Sequence, residues 1–218
     1  MGKVPRVTSA SQTPALLDER CAFCREPLVD GVCPNTVCRL PDRAFSQIYT
    51  VSEDAEEMWQ LIYRYKYGEE KQLADELGRR LVAYLRAHRA ELQRFDLFTT
   101  VALYIGPDAP RLWDYLQLFV DAAARIDGGW PFETEVITKV QPTGRFLGIG
   151  VDERRTIAEG ELRSALRVPA PDRVEGKRIL VIDDAYSEGF SLREMARALR
   201  RAGAAEVAGL VFARRKGA

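Results

Sequence analysis

Two adjacent carboxylates after an apolar run are the residues of this chain best placed to do chemistry. Asp183 and Asp184 directly follow residues 179–182, whose apolar and mostly β-branched side chains predict a buried strand. A short loop containing Gly189 comes next. In open α/β sheets, ligands bind beyond the carboxyl ends of the strands. Carboxylate oxygens at such a position suit sugar hydroxyls or a Mg²⁺ ion, so the pattern predicts a binding site of that kind.

A helix is predicted to follow the loop. Ser191 and Glu194 have the spacing of a capping box with Ser191 as the N-cap, and Gly203 stands where the helix would end. The apolar face of this helix would comprise Leu192, Met195, Ala196 and Leu199. Because a helix N-terminus attracts phosphate, the acids and the loop together predict a phosphorylated sugar as the ligand. The alternative is a plain buried strand that ends in two solvated acids before a capped helix.

This stretch resembles the phosphoribosyl-pyrophosphate (PRPP) signature of type I phosphoribosyltransferases. The signature is an apolar strand, two acids, three variable residues, Thr-Gly, one variable residue and Thr or Ser. Asp183, Asp184, Gly189 and Ser191 match it, and Glu188 stands in place of the first Thr. The resemblance implies a parallel-sheet, Rossmann-like α/β fold.

All four cysteines of the chain fall in one short segment with the spacing C-x2-C-x8-C-x4-C. They are Cys21, Cys24, Cys33 and Cys38. Two close pairs separated by the turn former Asp30-Gly31 predict a small zinc ribbon with four thiolate ligands. Such a site is closed and structural, and we expect the module to unfold on chelation while the core stays folded. The alternatives are buried free thiols or a module that has lost its metal.

Composition excludes several classes of protein. The 218 residues are 46% apolar and carry 32 basic and 32 acidic side chains, so a protein built mainly to coat nucleic acid is disfavoured. No apolar run is long enough for a membrane span. Residues 1–20 are polar, without the apolar segment of a secretory signal, and we expect a flexible tail. A cytoplasmic location is the corresponding expectation.

Two helices are predicted between the cysteines and the α/β core. The first has the apolar stripe Met58, Leu61, Ile62 and Tyr65, and the second has Leu73, Leu77, Leu81, Tyr84 and Leu85. The only histidine, His88, continues the second stripe and is interpreted as structural. Trp59, Tyr63, Tyr65 and Tyr67 alternate with Arg64 and Lys66, which is the pattern of a nucleic-acid platform. A packed helix with cations that reach out to solvent is the favoured interpretation.

Strands alternating with helices in the remaining chain predict a parallel sheet with right-handed crossovers. The expected strands cover residues 101–105, 136–140, 161–168 and 207–213, besides the strand before the two acids. A helix after residue 107 is predicted, with Asp108 as its cap, Pro110 in its first turn and a buried face that includes Leu112. The polar connection at residues 141–155 has the length of a functional lid.

The order of these features resembles the ComF family of competence-associated phosphoribosyltransferase-like proteins over about residues 20–215. Residues 21–28 are similar to the first knuckle of the family's zinc finger, and Tyr65-Lys66-Tyr67-Gly68 is similar to its linker segment. Residues 155–162 are similar to the Arg-containing stretch before the signature strand. The resemblance implies a tail at 1–20, a zinc module at 21–42, a helical linker at 52–92 and a phosphoribosyltransferase-like domain at 95–218.

The resemblance also implies roles for residues. Asp183 and Asp184 would hold the ribose hydroxyls and act in catalysis, with Mg²⁺ accompanying PRPP. The loop that would cradle the 5′-phosphate comprises Ser187, Glu188, Gly189, Phe190 and Ser191. Gly106 and Pro107 would form the pyrophosphate loop, and Arg154 or Arg155 would supply a cation to the pyrophosphate. The implied function is binding of PRPP or a nucleoside monophosphate, with transfer of the phosphoribosyl group to a base.

Glu188 is the departure from the signature, because its carboxylate would repel the phosphate. Three arrangements would relieve this repulsion: a turn to solvent, an ion pair with an arginine such as Arg193, or a bound cation. Without one of them, we expect weak PRPP binding and slow turnover. A second hypothesis is a non-catalytic nucleotide sensor or an accessory of DNA uptake and processing, with competence proteins or single-stranded DNA as partners. The sequence leaves a homodimer open.

Overall fold

The computed structural model describes residues 20–52, 55–109, 113–146 and 148–214. In chain order its elements are β1 (Ile48–Thr50), α1 (Ala55–Tyr67), α2 (Leu73–Ala87), α3 (Arg89–Leu92), β2 (Leu97–Thr100), α4 (Tyr115–Ile126), β3 (Thr138–Lys139), α5 (Val151–Ile157), α6 (Arg163–Ala165), β4 (Leu166–Arg167), β5 (Arg178–Tyr186), α7 (Phe190–Arg201) and β6 (Glu206–Arg214). A π-helical turn, Ala158–Leu162, joins α5 to α6.

The centre of the fold is a four-stranded parallel sheet with the order β1-β6-β5-β2. The apolar run of β5 is buried at every position, as expected for a strand covered on both faces. The final strand, predicted at residues 207–213, is confirmed as β6. The strand before the acids is longer than predicted: β5 runs through Asp183 and Asp184 to Tyr186. It extends because β6 continues alongside it, pairing Ala185 with Ala213.

The two predicted helices before the core are confirmed as α1 and α2. Met58, Ile62 and Tyr65 are buried on α1, and α2 buries Leu77, Leu81 and Leu85 among others. His88 lies at the end of α2, where its ring stacks on Tyr84 with centroids 4.0 Å apart. His88 is exposed here and does not continue the buried face of α2, so its structural role stays an interpretation.

The second strand of the sheet lies earlier than predicted. β2 covers Leu97–Thr100 rather than residues 101–105, because Leu97 pairs with Ile179 and Thr100 with Ile182. The following helix, α4, begins at Tyr115, and its N-cap is Asp114, whose Oδ1 accepts a hydrogen bond from the Gln117 amide at 2.9 Å. The prediction of Asp108 as the cap is therefore wrong. Pro110 and Leu112 lie outside the described residues.

A small antiparallel pair, β3 and β4, stands apart from the main sheet. The predicted strands at 136–140 and 161–168 are confirmed only over the two residues of each short strand. The connection predicted at 141–155 is interrupted by α5 from Val151 onward. All of α5 is described and none of its residues is buried, so it has no apolar stripe by which its sequence would indicate a helix.

The cysteine segment forms a compact loop structure against the edge of the sheet. Val29 and Val32 pair across Asp30 and Gly31, which confirms the predicted hairpin turn. Both turn residues have positive φ, 50° and 75°, as a two-residue hairpin turn requires. The Ile48 amide donates to the Phe23 carbonyl at 2.7 Å, so this segment is tied to β1. Residues 1–19 of the predicted tail lie outside the described residues.

Candidate functional site

A cleft of about 540 Å³ lies at the carboxyl ends of β2 and β5. Its floor is the end of β5 and the loop that leads to α7, and one wall is the end of α1. The opposite side is formed by β3, residues 142–146 and α5. The polar residues that line it include Lys66, Tyr115, Lys139, Thr143, Arg145, Arg154, Asp183, Asp184, Ser187, Glu188 and Ser191. This is the position at which open α/β sheets bind ligands.

Asp184 lies on the floor of the cleft in an ion pair with Lys66. The Lys66 ammonium donates to Oδ2 of Asp184, and both side chains are about nine-tenths buried. The Tyr115 hydroxyl lies 3.4 Å from Oδ1 of the same carboxylate. Lys66 is a residue of this site that the sequence interpretation assigned to solvent. Its place in the segment that is similar to the linker of the ComF family was the available signal.

Asp183 lies beside this pair in a different electrostatic environment. Its Oδ1 accepts a hydrogen bond from the Asp184 amide at 2.8 Å. Burial of the carboxyl and the neighbouring Asp184 charge raise the pKa of Asp183 well above its usual range. The two acids therefore differ: Asp184 is paired with the Lys66 ammonium, whereas burial and the neighbouring carboxylate favour the protonated form of Asp183. Both can hydrogen-bond the hydroxyls of a sugar.

The loop from Ser187 to Gly189 leads directly into α7, which begins at Phe190. Ser191 is thus inside the first turn and is not the N-cap, which corrects the predicted capping box. Glu194 takes no part in capping either, because it is buried and pairs with Arg163 at 2.8 and 3.1 Å. The first amides of a helix have no intrahelical acceptor, so the start of α7 can bind an anion in the cleft.

Gly189 is required for the shape of this loop. Its φ is +88°, and a Cβ at this position would lie 2.6 Å from the hydroxyl oxygen of Tyr186. A side chain would therefore encounter both backbone strain and a collision with a buried ring.

Replacement of Gly189 by alanine is expected to destabilise the protein by more than the strain of positive φ alone, which is about 1 kcal/mol. The matched control is Gly176→Ala, because Gly176 has φ +71° and nothing within 4 Å of its Cβ position among the described residues. Urea unfolding of both variants gives the comparison. Equal losses of unfolding free energy would show that the Tyr186 collision is relieved without cost.

Glu188 points into the cleft and is paired with an arginine. Both of its carboxylate oxygens accept from Nη1 of Arg154, at 2.9 and 3.0 Å, and Oε2 also accepts from the Ser187 hydroxyl at 2.8 Å. The predicted relief of the Glu188 charge by an arginine is thus present, although the partner is not Arg193. Arg193 instead pairs with Asp42 and Glu159.

Three other candidate residues lie away from this cluster. Gly106 and Pro107 are exposed and are not among the residues that line the cleft, although Ile105 is. Arg155 is exposed on α5, whereas its neighbour Arg154 lines the cleft. The structure therefore brings together the acids, the loop and Arg154, and leaves the proposed pyrophosphate loop at the rim.

The four cysteines converge as the spacing predicts, with their sulfur atoms within 4.8 Å of one another. The Sγ atoms of Cys24 and Cys33 are 3.6 Å apart. A tetrahedral zinc with Zn–S bonds of about 2.3 Å places its sulfurs about 3.8 Å apart, so the cluster fits this ion. Hydrogen bonds from Cys38 and Asn35 lower the pKa of Cys24, whereas burial raises the pKa of Cys33 and the contact with Cys24 raises that of Cys38, so without a metal the cluster favours a single thiolate.

Tyr186 connects the cysteine cluster to the loop of the cleft. Its hydroxyl lies 3.5 Å from Sγ of Cys38, and its ring underlies Gly189. Phe45 packs edge-on against the same ring, with centroids 6.4 Å apart. The cysteine cluster therefore supports the residue that shapes the loop at the start of α7.

The phosphoribosyl transferase domain family matches residues 119–218 of the chain. The DNA utilization protein YhgH of Escherichia coli strain K12 is 26% identical over 190 residues, which cover 86% of this chain and 80% of that protein. YhgH of Shigella flexneri gives the same values. A solved structure of the allosteric regulatory enzyme of purine biosynthesis is 23% identical over 65% of this chain, with a TM-score of 0.38. This chain spans only 25% of that longer chain.

The parallel sheet and the family match define a phosphoribosyltransferase-like α/β domain preceded by a four-cysteine cluster. Together with the 26% identity to YhgH, these findings support the resemblance to the ComF-type phosphoribosyltransferase-like family that the motifs predicted. Among the described residues, no helix is long and apolar enough to cross a membrane.

Proposed function

We propose that the cleft binds PRPP or a nucleoside monophosphate and that the protein transfers the phosphoribosyl group to a base with release of pyrophosphate. The observation that carries this proposal is the arrangement of two acids and a glycine loop at a helix N-terminus around one cleft. Asp183 and Asp184 would accept hydrogen bonds from the ribose hydroxyls. The amides and hydroxyls at residues 187–191 would hold the 5′-phosphate.

In the proposed reaction, a nitrogen of the base forms a bond to the anomeric carbon as the bond from that carbon to pyrophosphate breaks. The bonding electrons leave with pyrophosphate, and positive charge develops on the ribose. The carboxylate of Asp184, which is paired with Lys66, would stabilise that charge. Mg²⁺, when bound by PRPP and these acids, would neutralise charge on the leaving group.

We also propose that residues 21–42 form a structural zinc module, residues 52–92 a helical linker and residues 95–218 the transferase-like domain. The zinc would crosslink the N-terminal segment and would take no part in the reaction.

The experiment is an assay of pyrophosphate release from Mg²⁺–PRPP with a panel of purine, pyrimidine and pyridine bases. The expected result is release that depends on one base and is lost in Asp183→Asn, a variant of the same size. Binding of PRPP without release with any base would contradict transfer and retain only ligand binding.

A second candidate function is that of a non-catalytic accessory in DNA utilization, a role that the name of the YhgH relatives suggests. Tyr63 and Tyr67 are exposed, and their ring centroids are 5.0 Å apart beside the cleft. Exposed aromatic side chains on which bases can stack are typical of single-strand binding surfaces. Tyr65, in contrast, is buried, so the alternating segment is mainly a packed helix. Binding of single-stranded DNA that is weakened in Tyr63→Ala would favour this function.

A further inference from the structure

The Glu188 carboxylate is surrounded by the kinds of donor that a phosphate would use. The Ser187 hydroxyl and the Arg154 guanidinium both donate to it. Burial works against the charge, but Ser187, the Glu188 amide and Arg154 together hold the pKa of Glu188 below its usual range. Phosphates in helix-terminal loops are bound by the same three groups: hydroxyls, loop amides and guanidinium ions.

The ion pair of Glu188 and Arg154 is buried in the cleft, so it is not an ordinary surface salt bridge. Only 6% of the Glu188 side chain and 12% of the Arg154 side chain are exposed, and both residues line the cleft. Glu188 also stands directly before Gly189, in the loop where the proposed function places the 5′-phosphate.

We propose that the Glu188 carboxylate is a built-in anion that holds the phosphate-binding donors of this loop, so that a phosphorylated ligand must displace it from Arg154 and Ser187. The proposal rests on the proposed function, because it concerns the affinity of the same cleft for phosphate. It identifies Glu188 as a residue that limits phosphate binding and Arg154 as the cation that is released when phosphate binds.

The hydrogen bonding of Arg154 supports this exchange. Its Nε is buried and has no hydrogen-bond partner within the part of the chain that the structure describes. A buried donor without an acceptor is costly, so the present arrangement leaves the guanidinium incompletely satisfied. A phosphate offers more acceptor oxygens than a carboxylate, and rotation of Arg154 toward it would satisfy more of its donors.

The test compares wild type with Glu188→Thr by calorimetric titration with Mg²⁺–PRPP at moderate salt. The expected result is tighter binding by roughly tenfold or more, equivalent to about 1.4 kcal/mol. The gain should disappear in the double variant Glu188→Thr/Arg154→Gln, because freed Arg154 supplies it. The matched control is Glu206→Thr, since Glu206 also forms a two-bonded pair with an arginine, Arg94, at the opposite end of the strands.

Loss of Glu188 leaves Arg154 without its partner, so the variant must first be shown to be folded by its urea unfolding curve. If Glu188→Thr does not fold, Glu188→Gln keeps the size and removes the charge, and the same tightening is expected. Unchanged or weaker binding in a folded variant would overturn the inference by showing that Glu188 anchors Arg154 for the ligand. If wild type and every folded variant fail to bind PRPP, the proposed function fails together with the inference.

Discussion

Removal of metal from the four-cysteine cluster is expected to disturb the cleft as well as the cluster itself. Purified protein should contain about one zinc per chain. Structural zinc in small modules contributes roughly 10–16 kcal/mol of binding free energy, so chelation should unfold the segment around it. The spacing of the cysteines alone suggested that the core would stay folded on chelation. The contact of Cys38 with Tyr186, and of Tyr186 with Gly189, instead connects the cluster to the proposed phosphate loop.

The measurement is amide hydrogen exchange before and after addition of a chelator, with zinc content determined in parallel. We expect faster exchange in residues 20–45 and in the loop at 187–191, while β6 keeps its protection. The Tyr186→Phe variant removes the hydroxyl contact and retains the ring, so it should bind zinc but show a smaller effect on the loop. Four free thiols in carefully purified protein without stoichiometric zinc would contradict the metal assignment.

Substitution of Asp184 by asparagine is expected to weaken both the fold and ligand binding. Its carboxylate is buried against Lys66, and removal of one partner of a buried ion pair costs roughly 3–5 kcal/mol. This differs from the alternative in which both acids are solvated at the strand end. Loss of a charged hydrogen bond to a ribose hydroxyl, worth about 1.5–3 kcal/mol, should also reduce affinity for PRPP by about ten- to a hundredfold.

The double variant Asp184→Asn/Lys66→Met separates the two effects. Because it removes both charges, its unfolding free energy in urea should lie above that of Asp184→Asn alone, while PRPP binding should remain weak. An Asp184→Asn variant as stable as wild type would show that Lys66 finds another partner without cost. Wild-type affinity in that variant would remove Asp184 from the ligand site.

Local patterns in the sequence predicted the central part of this fold. The apolar run of β5, the stripes of α1 and α2, the strand β6 and the clustered cysteines all follow from spacing within a few residues. β2 was misplaced because Thr99 and Thr100 are polar in sequence, although they are buried beside β5. The position of β2 is determined by its pairing with β5, a strand far away in the chain. A local sequence pattern contains no information about that pairing.

The least predictable parts of the site are contacts between segments far apart in the chain. Lys66 reaches Asp184 from a helix 118 residues earlier, and Arg154 reaches Glu188 across 34 residues. Neither pairing follows from propensity or periodicity. The sequence did indicate that Glu188 needs relief from charge, and it named an arginine as one solution, but only the fold determines which arginine is near.

The most direct test of the account is a crystal structure of the full chain with Mg²⁺ and PRPP. We expect ribose hydroxyls at hydrogen-bond distance, about 2.7–3.2 Å, from the carboxylates of Asp183 and Asp184. The 5′-phosphate should lie on the loop at residues 187–191, with Glu188 displaced from Arg154. A PRPP molecule bound elsewhere, or bound here with its phosphate away from the start of α7, would contradict the assignment of this cleft as a phosphoribosyl site.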